Sequence, residues 1–146
     1  MDRKEFASIT IGKLLNIGGM LQKKGNQLLQ PFDLNQQQFS ILFSIYEEGQ
    51  VNQKQMVNKL VLEKAHVSKV VKKLHTMGLI DIEESKEDKR SSWLSITEKG
   101  KKTVMACKKE LNKWNIEWTA HVNEKQFEGL VDSLQLFQDV FTNNTL

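Results

Sequence analysis

The chain of 146 residues has one cysteine, Cys107, so no intramolecular disulfide can form, and a reducing compartment is expected. It has a single proline, Pro31, and eight glycines, too few for long disordered linkers. Its three histidines, His66, His75 and His121, never fall at the i, i+4 spacing that places two ligands on one helical face. No metal site is therefore expected. No apolar run reaches the roughly 18 residues of a membrane span. The start, Met1-Asp2-Arg3-Lys4-Glu5, leads into no apolar segment of signal-peptide type. The expectation is a cytoplasmic chain with no membrane partner. Nucleophile motifs and phosphate-cradling glycine loops are also missing, so neither an enzyme nor a cofactor is expected. The net charge is only +3, which does not by itself indicate nucleic acid. The distribution of charge matters more.

What is present is a series of helical patterns. Length fits one domain, 1–146, able to bury a core without staples. Residues 5–30 read as a long helix with Ile11, Leu14, Leu15, Ile17, Leu21 and Leu28 apolar, ended by Pro31. Gly18-Gly19 inside it is costly, at roughly 1 kcal/mol each against alanine. Close helix packing accounts for the pair, as would a kink beside a ligand cavity. A second helix spans about Asn35 to Glu48, with Phe39, Leu42, Phe43 and Tyr46 on one stripe and Gly49 as its stop. Asn52 with Gln55 can form a capping box for a short third helix carrying Met56, Val57 and Leu60.

A fourth helix follows, Lys64 to Met77, stopped by Gly78. Leu79-Ile80-Asp81-Ile82 and Ser92-Trp93-Leu94-Ser95-Ile96 then alternate as a two-stranded hairpin, with Glu83 to Ser91 as its charged tip. Thr97 can cap a fifth helix, in which Val104, Cys107, Leu111, Trp114 and Trp118 recur at 3-4-3-4 spacing. Asn123 with Gln126 opens a sixth, where Phe127, Leu130, Leu134, Phe137 and Phe141 repeat that spacing. The predicted fold is mainly α with a small β-hairpin wing.

The fourth helix carries the chemistry. At 100° per residue Val67, Val70, Val71 and Leu74 share one side. Ala65, Lys69, Lys72 and Thr76 point the other way, with His66, Ser68 and Lys73 on the flanks. Lys64 to Met77 contains four lysines and no acid. An apolar back, a cationic front and small residues near the start suit entry into a DNA major groove. An isolated helix of this kind would be only a solvated lysine-rich face. Preceded by a short capped helix and a tight turn, it completes a helix-turn-helix pattern. In the hairpin tip, Lys86-Glu87-Asp88-Lys89-Arg90, an arginine can enter a minor groove and an aspartate can orient it.

From Gly78 to Gly100 the chain resembles the wing of MarR-family (multiple antibiotic resistance) regulators, whose signature is Asp-x-Arg, a strand, then Leu-Thr-x-x-Gly. Here these are Asp88-Lys89-Arg90, Trp93-Leu94-Ser95, and Ile96-Thr97-Glu98-Lys99-Gly100, with Ile96 at the leucine position. Gln55 to Leu60 is similar to the family's helix before the turn, and Val67 to Leu74 to its recognition helix. Leu34-Asn35 with Gln38-Phe39 and Leu42 is similar to its second-helix opening. Two positions depart from the pattern: Ile82 stands where arginine is common, and Ala65-His66 where Ser and Thr are common.

The resemblance implies a winged helix-turn-helix lobe at 34–100, with dimerisation helices at 5–30 and 101–142. It implies a homodimeric, sequence-specific transcription regulator, a ligand-responsive repressor on a pseudo-palindromic operator of double-stranded DNA. The expected DNA-binding residues are Ala65, His66, Ser68, Lys69, Lys72, Lys73, Lys89 and Arg90, with Asp88 orienting the wing. A small-molecule effector would lie among the first, second and fifth helices. Cys107, on the apolar stripe of the fifth helix, reads as inert packing. The rival class is a winged helix that binds protein without specific DNA binding; its recognition face would be apolar or acidic.

Overall fold

Short-range capping sets where the helices begin. In the computed structural model, which describes residues 1–84, 86–87 and 92–142, α1 spans Arg3–Leu29. It starts two residues before the sequence pattern suggested, because Asp2 and Glu5 form a reciprocal capping box. Its end also differs in mechanism. Gln30, although it precedes Pro31, keeps α geometry (φ −52°, ψ −43°). Pro31 sits instead in the first turn of a 3-10 helix, Gln30–Phe32, where its missing N–H costs nothing. The chain reverses at Asp33, which is left-handed (φ 58°).

α2 spans Gln36–Glu48 behind a box formed by Asn35 and Gln38, and ends on Gly49 at φ 76°. A short strand follows that alternation did not reveal: β1, Gln50–Asn52. α3, Gln53–Leu60, begins on the expected Asn52–Gln55 box, and α4 spans Lys64–Thr76. β2 is Ile80–Glu83, β3 is Trp93–Ile96, α5 is Glu98–Thr119 and α6 is Glu124–Thr142. The expected hairpin is thus part of a three-stranded antiparallel sheet ordered β1-β3-β2. Leu94 of the central strand pairs with Val51 on one side and Ile82 on the other.

The chain divides into two compact units, Met1–Glu110 and Leu111–Leu146. In the first, the core runs from Leu29 to Cys107. Leu29, Ile41, Leu42, Ile45, Met56, Val67, Leu74, Leu94, Val104 and Cys107 are fully buried there. Where α1 passes α2, a Cβ on Gly25 would overlap the end of the Gln36 side chain, which would have to move aside. Gly18 and Gly19 differ: a Cβ on either would meet nothing within 4 Å. α1 is continuous through them, so within one chain they make neither a close contact nor a break. In the second unit Trp118 packs against Phe127 with ring centroids 5.4 Å apart, and its Nε1 donates to Asn115.

The turn between α3 and α4 contains Val61 at φ 52°, ψ 46°, with its side chain 90% exposed. A left-handed β-branched residue costs about 1–2 kcal/mol. Because this side chain packs on little, Val61→Asn should raise stability by about 1 kcal/mol. Thermal unfolding would register this as a rise of a few degrees. An unchanged or lower midpoint would show that the valine side chain earns its place by contacts.

Candidate nucleic-acid interface

The back of α4 is fixed by four side chains. Val67 and Leu74 have no exposed surface, and Val70 and Val71 almost none. That anchorage turns Ala65, Lys69, Lys72, Lys73 and Thr76 outward, all exposed, and leaves Ser68 half-buried. The helix contains no acid. Its N-cap, Glu63, makes no side-chain cap bond, unlike the caps of α2 and α3.

Lys72 and Ser68 line a groove of about 170 Å³ with Gln53 of α3, Lys64, Ile82, Glu84 and Ser92. The sheet forms the far wall, because Gln53 N–H donates to the Ser92 carbonyl. Gln53 and Lys64 were not among the residues picked from sequence. Lys64 opens an acid-free helix, a signal that was available, whereas Gln53 reaches the groove only through the β1–β3 pairing. Lys73 lies to one side, its Nζ 3.5 Å from Gln38 Oε1, at the limit of a hydrogen bond. His66 is half-buried, and its Nε2 is withdrawn from solvent with no partner among the described residues. Asp88, Lys89 and Arg90 lie outside the described residues, while Lys86 and Glu87 are exposed.

At its other end α4 closes on a Schellman motif. Leu79 N–H donates to Leu74 O at 3.0 Å and Gly78 N–H to His75 O at 2.9 Å, with Gly78 at φ 75°. The next carbonyls are met from the start of α5. Lys99 Nζ donates to Met77 O at 2.7 Å, Thr97 Oγ1 to Gly78 O at 2.7 Å, and Thr97 N–H to Leu79 O at 3.1 Å. Thr97 Oγ1 also accepts from Gly100 N–H, the cap anticipated for this helix.

Cys107 is fully buried, and burial pushes its thiol up to about 11. With almost no thiolate at neutral pH, it should resist peroxide and thiol reagents. A disulfide reagent is expected to release less than about 0.1 equivalent in native protein and one equivalent after denaturation. Rapid native reaction would overturn this assignment. The raised value also gives a pH dependence. The unfolded thiol ionises near 9.0 and the folded one near 11, so this contribution is complete below pH 9 and lost as pH rises towards 11.

Among the described residues no cluster of three or more His, Cys, Asp or Glu could hold a metal, and no helix is long and apolar enough to cross a membrane. A half-buried helix-turn-helix with a cationic face is flanked by a three-stranded sheet. The MarR family model matches residues 34–92, from just before α2 to the base of the wing. Over those residues the chain is similar to the MarR family. At that level it is a DNA-binding transcriptional regulator of the winged-helix type. Among curated proteins the chain is 31% identical to the HTH-type transcriptional regulator MgrA of Staphylococcus aureus over 74 residues, 51% of this chain and 50% of MgrA. Its fold matches Staphylococcus aureus MarR in complex with salicylate and kanamycin, with TM-score 0.86, 19% identity and coverage of 97% and 95%. It also matches a cysteine-to-serine mutant of E. coli MarR complexed with operator DNA, with TM-score 0.78, 19% identity and coverage of 94% and 99%.

Proposed function

We propose that this chain acts as a homodimeric, ligand-responsive repressor that binds a pseudo-palindromic operator. The observation that carries the reading is α4 itself: an apolar back locked into the core and an outward face of Lys69, Lys72 and Lys73 with no acid. Each subunit inserts the first turns of α4 into a major groove. Ala65, Ser68 and Lys69 approach base edges, and His66 joins them by a rotation that frees its buried Nε2. Lys72 and Lys73 contact phosphates, while Lys89 and Arg90, steered by Asp88, reach the flanking minor groove.

Dimerisation is supported by apolar surface that one chain leaves open. On α1, Phe6, Leu15 and Met20 are 59%, 73% and 63% exposed, and α6 has no buried residue although Leu130, Leu134 and Phe141 form one stripe. Soluble monomers rarely expose such faces. A second copy laid against the same elements would cover them and place two recognition helices one DNA turn apart. An effector role is supported by the aromatic row Phe39, Phe43 and Tyr46 on α2, with Lys108 of α5 5.2 Å from the Phe43 ring centroid. Stacking surface beside a cation suits an aromatic anion.

The test is selection of genomic fragments by purified protein at near-physiological salt, with Arg90→Ala as control, alongside light scattering for mass. An enriched inverted repeat lost by the variant, from a particle of two chains, supports the reading. A particle of one chain, or no enrichment with or without small aromatic acids, would sink it in favour of protein binding.

A further inference from the structure

We propose that Lys99 and Thr97 are positioning residues for operator recognition, tying the trailing end of α4 to the start of α5 so that the tilt of α4 in the groove is set from α5. This rests on the DNA-binding reading above. Three consecutive carbonyls, those of Met77, Gly78 and Leu79, all end on these two residues. The Schellman motif already closes the helix through Leu74 and His75, so the additional bonds are not needed to finish α4. They join it to something else.

The joint is stiff for identifiable reasons. Thr97 engages through both backbone and side chain, and the same hydroxyl that donates to Gly78 O accepts from Gly100 N–H. Lys99 is an exposed residue that could stay solvated, yet its ammonium sits on Met77 O, at the negative end of the α4 dipole. Its stem lies against Gly78, Cδ 3.7 Å from where a Cβ would stand. Gly100 lies under the Leu79 carbonyl so closely that any Cβ would overlap it. Base reading tolerates only about 0.5 Å and 10–20° of error in a presented side chain. A helix held only by its apolar back can roll or tilt; one pinned beyond its last turn cannot. The Thr-x-x-Gly spacing thereby acquires a reason, since it brings the hydroxyl, the lysine and the bare Cα to one corner.

Lys99→Met keeps the stem and removes the donor. Lys101→Met is the control, because Lys101 is an exposed lysine two residues on whose ammonium pairs with Glu98 at 3.1 Å, and it loses the same charge. Fluorescence anisotropy would compare the selected operator with a scrambled duplex, at a temperature where circular dichroism shows each variant folded. Lys99→Met is expected to bind operator on the order of tenfold more weakly than Lys101→Met, a loss comparable to one mismatched base pair. The two should bind scrambled DNA alike, and Lys99→Arg should restore operator affinity. If Lys99→Met does not fold, Lys99→Gln takes its place. Equal behaviour of the two lysine variants, or a parallel loss on both duplexes, overturns the proposal. Should the wild type select no operator, the functional reading fails separately. Amide exchange over Thr76–Leu79 then decides the joint: faster exchange in Lys99→Met than in Lys101→Met supports it, and equal exchange overturns it.

Discussion

Gly100→Ala is expected to destabilise the protein by about 3 kcal/mol, near the upper end of what over-packing by one methyl costs. The added Cβ would overlap the Leu79 carbonyl oxygen and come within 2.8 Å of Ile96 Cγ1. Neither neighbour can retreat cheaply. Leu79 O is held by Thr97 N–H, and the Leu79 side chain is buried. Alanine's better helix propensity, roughly 1 kcal/mol, offsets only part of the clash. Gly129→Ala is the internal comparison, since its Cβ would meet nothing within 4 Å in the interior of α6. It should be neutral or gain up to about 1 kcal/mol. Chemical denaturation of both variants measures the difference. Equal midpoints would mean that the α4–α5 corner yields far more easily than its contacts indicate.

The second large effect is on DNA. Lys72→Ala combined with Lys73→Ala removes two cations per chain from an exposed face, four in the proposed dimer. If all four neutralise phosphates, the slope of log affinity against log salt should fall by about 3.6, from 0.9 per contact. Affinity at 0.1 M salt should drop roughly a thousandfold, for operator and unrelated duplex alike. Folding should barely change, since both side chains are exposed. Anisotropy titrations from low to high salt would show it. An unaltered slope would remove both lysines from the backbone contacts, and Lys73, drawn towards Gln38, is the more vulnerable of the two.

The parts legible in sequence were those governed by neighbours a few residues apart. The Asn52–Gln55 and Asn123–Gln126 boxes form as read, and the four apolar residues of α4 are the ones buried. Contacts made at long range left no such trace. β1 is three residues long and pairs with a strand more than 40 positions later, so no alternation could show it. Gly25 and Gly100 matter through atoms distant in sequence, whereas a Cβ on either of the conspicuous Gly18 and Gly19 would meet nothing within 4 Å. At Gln30 a local rule lost: the pre-proline preference yielded to a 3-10 turn that continues the helix. Helical period placed Lys69 and Lys72 outward, but it carried no information about the groove that Lys72 lines, which the sheet and α3 build together with α4.

The capping boxes bear on how such a reader could be emptied. Those of α2, α3 and α6 each pair an asparagine with a glutamine, side chains that carry no charge. Ions do not screen these helix starts, and mild acid does not protonate them. The grip on DNA would rest instead on lysines that salt competes with directly. Ionic strength can therefore strip the protein from nucleic acid while these three helix starts stay closed, and the same molecule can return to its site when the salt falls.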